Sequence, residues 1–231
     1  MINRIVALSL SLVISVLLCL RAVAQDFVPG EVPGQQEIAE LEKQATARPG
    51  DFHLARKLGK AYFFQVFGEG RKSSIEKSVK WLERALEIKA GDAETTAYLG
   101  AMTAIMAREK RDLGLLNRAI ELSKRAEELA PDDIAVLSVT GVTFLNLPET
   151  LGLTARALES MEKVRKRMGP AFSRMSHHGQ QRVLLTEGQA YVKLKQVEKA
   201  RECFEQALKI DQESVEAALI KAELEKLKAR S

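Results

Sequence analysis

An all-α solenoid of antiparallel helix pairs is the fold this sequence predicts, and three observations predict it. The 231 residues hold only 14 glycines and 6 prolines among long stretches of Ala, Leu, Glu, Lys and Arg, the composition of a helical bundle or solenoid. Four of those glycines sit inside otherwise helical segments: Gly59, Gly100, Gly141 and Gly188, at spacings of 41, 41 and 47. A glycine inside a helix costs about 1 kcal/mol relative to alanine. Four in register therefore mark a shared packing need, the close approach of one helix backbone to its neighbour. Thirdly, each glycine-bearing segment is followed by a second amphipathic one.

The elements follow in order. Met1 to Arg4 carries one positive charge, Ile5 to Leu20 is an uncharged apolar run, and Ala22-Val23-Ala24 is a small-x-small triplet. That is the pattern of a secretory signal peptide over residues 1–24. The 16-residue apolar run reaches roughly 24 Å as a helix, short of the roughly 30 Å hydrocarbon core. Membrane contact is expected only through this segment if it stays uncleaved. Residues 25–34 read as a flexible lead-in to a helical domain over 35–231. Glu37 to Ala47, closed by Pro49, reads as the second helix of an incomplete repeat. Four units then span about 52–91, 92–131, 132–170 and 177–212. Ser214 to Ala229, with Val215, Ala218, Leu219 and Ala222 down one side, reads as a terminal capping helix within 213–230.

Unit four carries Gly188, Tyr191, Ala200, Phe204 and Ala207 in GQAYVKLKQVEKARECFEQALKID. These offsets resemble the tetratricopeptide repeat family. Unit one matches through Leu58, Gly59, Tyr62, Ser78, Leu82 and Ala85. Unit two matches through Leu99, Gly100, Ala119, Ala126 and Pro131. The third unit opens well with Leu137, Gly141 and Phe144, but its second helix, roughly Leu151 to Arg167, drifts from the pattern. The resemblance covers essentially the whole chain after the signal segment and implies a right-handed superhelix. Units one and two depart from it in one respect. Their offset from the glycine to the small residue of the second helix, Ser78 or Ala119, is 19, against 12 in unit four, and seven residues make close to two helical turns. Arg108 to Asp112 in unit two extends a helix on this reading, whereas Phe67-Gly68-Glu69-Gly70 in unit one reads as an exposed loop.

Residues 1–24 take Arg4 and Arg21 and no acidic residue, so 35 basic side chains against 31 acidic become 33 against 31. A nearly neutral chain lacks the concentrated basic face that nucleic acid requires. One cysteine, Cys203, remains, so no internal disulfide is expected. Enzyme signals are nearly absent. His53 stands apart, and the neighbours His177 and His178 point away from one another at a helix start, unlike the i, i+4 spacing of metal ligands. No G-x-S-x-G, phosphate loop or dinucleotide fingerprint occurs. Neither cofactor nor metal is expected.

The resemblance implies a concave groove lined by the first helix of each repeat. Its expected lining comprises His53, Arg56, Lys60 and Phe63 in unit one, and Ala97 and Ala101 in unit two. Ser138 and Val142 follow in unit three, and Arg182 and Gln189 in unit four. Such a groove is basic at one end and small and apolar in its middle. It suits a peptide with apolar side chains and an acidic end near Arg56 and Lys60. Small residues also permit tight curvature with no ligand present. The family's chaperone-tail clamp includes asparagines that are missing here. The expectation is a non-enzymatic interaction scaffold in the periplasm or cell envelope with a protein or peptide partner. Self-association through the unfinished N-terminal half repeat is a further possibility. The alternative is a small-ligand carrier. For that, Asn146-Leu147-Pro148-Glu149-Thr150-Leu151-Gly152 is similar to a turn in transporter-associated periplasmic repeat proteins, although Pro148 and Gly152 also serve simply to end one helix and start the next.

Overall fold

The structure is a computed structural model that describes residues 34–66 and 71–229. The expected signal peptide over residues 1–24 and the expected loop over residues 67–70 lie outside these residues. Ten α-helices make up the described chain: α1 (Gln35–Ala47), α2 (Phe52–Gln65), α3 (Arg71–Ile88), α4 (Ala93–Lys110), α5 (Leu113–Leu129), α6 (Ile134–Leu145), α7 (Thr154–Met168), α8 (His177–Lys193), α9 (Val197–Ile210) and α10 (Val215–Lys228). Short 3-10 turns at Glu149–Leu151 and Gly169–Arg174 flank α7.

Local chemistry sets the helix starts. Asp51, Asp92, Asp112 and Asp133 each accept a hydrogen bond from the backbone N–H three residues on, at 3.1, 3.0, 3.0 and 2.9 Å. Ser176 and Ser214 do the same at 3.2 and 2.9 Å. Each cap satisfies an N–H that the helix itself leaves unbonded, a contribution of about 1 kcal/mol. At the other end of α4, Arg111 takes a left-handed conformation (φ 53°) and turns the chain within two residues into α5.

The helices stack as antiparallel pairs: α2 with α3, α4 with α5, α6 with α7, and α8 with α9. The first, or inner, helix of each pair also packs against the outer helix of the pair before it. Consecutive pairs therefore interlock, and α10 closes the far end against α8 and α9. At α1 the stack begins with Ile38, Leu41 and Ala45 buried against Leu58, Ala61 and Tyr62. A second buried cluster runs from Phe63 on α2 to Leu227 on α10, through Tyr98, Met102, Val139, Leu184 and Phe204. The result is a solenoid in which one buried cluster spans α2 to α10 and smaller ones flank it.

The register glycines mark the tightest contacts between inner and outer helices. A Cβ at Gly100 would lie 2.7 Å from the Ser123 hydroxyl and 3.1 Å from the Ser123 backbone nitrogen. At Gly188 the same atom would collide with the ring of Phe204. The longer offset in unit two is taken up by helix on both sides of the turn. The inner helix α4 runs ten residues beyond its glycine, to Lys110, where α8 runs five, to Lys193. The outer helix α5 begins six residues before Ala119, where α9 begins three before Ala200.

Candidate functional site

The inner helices carry the ten residues expected to line a groove, and the structure corrects that expectation for most of them. Phe63, Ala97, Ala101, Ser138, Val142 and Arg182 are buried, each at most 2% exposed. The physical reason is curvature. Ala97, Ala101 and Ser138 are small enough for neighbouring inner helices to touch, and α2, α4, α6 and α8 contact one another in sequence. The inner face closes on itself where an open apolar floor was expected. Phe63 turns its ring into the core, edge-on to Tyr98 with centroids 4.9 Å apart. Of the ten, only His53 is exposed, with Arg56, Lys60 and Gln189 half-buried.

The basic end is also occupied from within the chain. Arg56 donates to Glu94 at 3.1 Å and stands 3.7 Å from Asp92, while the Lys60 ammonium pairs with the other oxygen of Glu94. Burial opposes ionisation of Asp92. Hydrogen bonds from Thr95 and the charges of Arg56 and Lys89 outweigh it, holding the carboxyl below the usual carboxylate range. A peptide carboxylate arriving here competes with Glu94 for both cations.

Arg182 has a structural setting under α10. Its guanidinium is fully buried, with Nη1 3.8 Å from Glu216 Oε1 and no hydrogen bond from any of its three nitrogens. His178 Nδ1 lies 2.8 Å from the other oxygen of Glu216. Burial raises the cost of ionising Glu216, but His178 and Arg182 more than offset it and hold the carboxyl below its ordinary value.

The arrangement that sequence reasoning missed lies between the third and fourth pairs. A cleft of about 650 Å³ opens between α7 and α9, over α8. Glu187 and Cys203 are buried and line it, with Tyr191, Phe172 and Arg165 half-buried around them. Glu162, Lys166, Lys199 and Glu202 stand exposed at its rim. Arg165 Nη1 donates to Glu187 Oε2 at 2.5 Å, the Cys203 thiol lies 3.8 Å from the same oxygen, and Glu187 Oε1 has no hydrogen-bond partner. The Tyr191 hydroxyl donates to Glu162 at 2.8 Å. Burial pushes the Glu187 carboxyl above its usual value despite Arg165. Burial and the facing carboxylate push the Cys203 thiol up to about 12, so it is a poor nucleophile. A sequence signal for this site exists. The residue before each register glycine is Leu58, Leu99, Thr140 and then Glu187, a carboxylate in an otherwise apolar or hydroxyl series.

Among the described residues no group of three His, Cys, Asp or Glu side chains is placed to hold a metal ion, and no helix is long and apolar enough to cross a membrane.

Known proteins agree with this architecture. The tetratricopeptide repeat family model matches residues 181–214, which begin within α8 and end at the cap of α10. No curated protein matches the sequence. Among solved structures, a thermophilic tetratricopeptide-repeat protein of Thermus thermophilus superposes with a TM-score of 0.59 at 13% identity, over 81% of this chain and 88% of its own. MamA superposes with a TM-score of 0.51 at 22% identity, over 76% of this chain and 87% of its own. The pilF protein of Pseudomonas aeruginosa gives 0.51 at 18% identity, over 76% and 71%. At these identities the likeness is one of fold.

Proposed function

We propose that the chain, a tetratricopeptide-repeat solenoid by its fold and its matched repeat, is an exported, non-enzymatic scaffold that binds a partner protein or peptide. The observation that carries this reading is the architecture itself. Interlocked helix pairs, each of which contacts chiefly its neighbours, present long surfaces for a partner. The titratable groups support it too. Asp92, Glu187, Glu216 and Arg165 are engaged in ion pairs between helices, and the Cys203 thiol is held in its unreactive form. On the inner face His53 is exposed and Arg56, Lys60 and Gln189 are half-buried, and a partner there competes with Glu94 for Arg56 and Lys60. The small-ligand carrier is the weaker reading, because the cleft over α8 is open and rimmed by charged side chains instead of enclosed by apolar ones.

Two experiments test the proposal. N-terminal sequencing of the protein from envelope fractions is expected to begin at Gln25, whereas an intact Met1 would contradict cleavage and export by that route. A crosslinking pull-down with the tagged protein is expected to recover a specific partner identified by mass spectrometry. Arg56→Glu/Lys60→Glu, with folding checked by circular dichroism, is expected to lose a partner that uses the inner face. Recovery of no protein by either form would sink the scaffold reading.

A further inference from the structure

Two polar layers cross the stack at equivalent register positions. Glu127 and Arg165 each stand eight residues after the small residue of an outer helix, Ala119 and Ala157. Thr140 and Glu187 each precede a register glycine. Ser160 and Cys203 each follow Ala157 or Ala200 by three residues, and Arg156 and Lys199 immediately precede those alanines. Phe144 and Tyr191 each follow the glycine by three. The two layers are therefore the same site built twice, between the second and third pairs and between the third and fourth.

In the first layer the carboxylate is complete. Glu127 Oε1 lies 2.7 Å from the hydroxyls of both Thr140 and Ser160. Its Oε2 receives Arg156 through Nε and Nη2, both at 2.7 Å, while that guanidinium lies over the Phe144 ring at 5.4 Å. In the second layer the charges trade places. The carboxylate, Glu187, is on the inner helix, and the guanidinium, Arg165, is on the preceding outer helix. Lys199 keeps the ring contact, 5.4 Å over Tyr191, but donates no hydrogen bond to Glu187. Cysteine stands where serine donated in the first layer. Glu187 is thus one strong donor short, is 1% exposed, and lines the one side of its layer that opens as a cleft. A buried carboxylate oxygen with no partner is costly, and a charge-assisted donor recovers that cost.

We propose that this cleft takes a basic side chain, a lysine or arginine of a partner polypeptide, whose N–H groups complete Glu187 between the Tyr191 and Phe172 rings. Both rings already stand under cations of this chain, Lys199 5.4 Å over Tyr191 and Arg165 6.0 Å over Phe172, so an incoming cation packs against their edges or displaces these contacts. The rim favours a polypeptide over a free amine: Lys166 and Lys199 stand beside Glu162 and Glu202, so a lone cation gains little from the rim, while a basic residue flanked by acidic ones also brings carboxylates to Lys166 and Lys199. The proposal rests on the scaffold reading but places the contact on the outer side of the solenoid, away from Arg56 and Lys60.

The test is a titration of the purified protein with acetylated, amidated Glu-Lys-Glu and Glu-Arg-Glu tripeptides, read by the aromatic NMR resonances of Tyr191 and Phe172 and by calorimetry. Glu-norleucine-Glu is the uncharged control, and n-butylammonium is the free amine. Both basic tripeptides are expected to shift the two rings saturably and norleucine is not. Glu187→Gln is expected to weaken binding by about tenfold or more. Because Glu187→Gln also loosens Arg165, a second variant is needed. Lys199→Arg puts a guanidinium where Arg156 stands in the complete layer, and it is expected to raise the melting temperature and abolish tripeptide binding. Absence of saturable shifts with the basic tripeptides, an equal response to norleucine, or unchanged affinity in Lys199→Arg would each overturn the proposal. Butylammonium binding as tightly as the tripeptides would overturn the polypeptide assignment. A pull-down partner lost in Arg56→Glu/Lys60→Glu but kept in Glu187→Gln would leave the scaffold standing and remove this site.

Discussion

Tyr98 is enclosed on α4, edge-on to Phe63 and with Lys60 5.0 Å over its ring, and its hydroxyl finds no hydrogen-bond partner. Burial, reinforced by Glu94, pushes that hydroxyl well above its ordinary range, so it stays protonated and unbonded. Removing it should cost nothing: Tyr98→Phe keeps the ring contacts and deletes a buried polar atom that the fold does not use. The expected outcome is unchanged stability or a gain of up to about 1 kcal/mol, measured as the melting midpoint. A loss of similar size would show that the hydroxyl is bonded after all. The register glycines make the opposite point at the same scale. At Gly100 the obstacle to a side chain includes backbone, the Ser123 nitrogen at 3.1 Å, which no rotamer change removes.

Helix α10 is an element whose docking depends on pH. Its first turn carries Glu216, buried against Arg182 and His178 of α8, with a carboxyl held below its ordinary value. A depressed acid stabilises the fold above its unfolded value, near 4.5, and that stabilisation is lost as pH falls through the lowered folded value. Glu187 acts in the reverse sense. Its folded value is raised, so the fold is favoured at low pH and loses that contribution as pH rises through the raised value. Hydrogen exchange is therefore expected to show α10 opening first on acidification, and Glu216→Gln is expected to flatten the acid limb of the stability curve. An unaltered acid limb in that variant would refute the assignment. Helix positions were largely legible in the sequence, because caps such as Asp92 and the register glycines act within a few residues of themselves. The inner face was not. Whether Ala97 and Ser138 line a groove or let two helices meet depends on the angle between pairs, which no local pattern encodes. Nor was the Glu187–Arg165 pair, which joins residues 22 apart on different helices; the charge at a position held by Leu58 and Leu99 was the only trace.

At the scale of the whole molecule, a stack of similar units faces a difficulty that a singular core does not. Any inner helix with a register glycine resembles any other, so a unit that docks one place too early still buries its apolar face. The apolar contacts, Gly188 against Phe204 or Gly141 against Met161, cannot by themselves tell the units apart. The polar layers can. Because the acid sits on the outer helix in one layer and on the inner helix in the next, a fourth pair docked in place of the third would bring Glu187 onto Glu127. Two carboxylates would then be shut together without the guanidinium of Arg165, an arrangement that buried like charges make costly. The exchange of charge between the layers therefore acts as a key to assembly order, since it penalises a unit docked out of sequence.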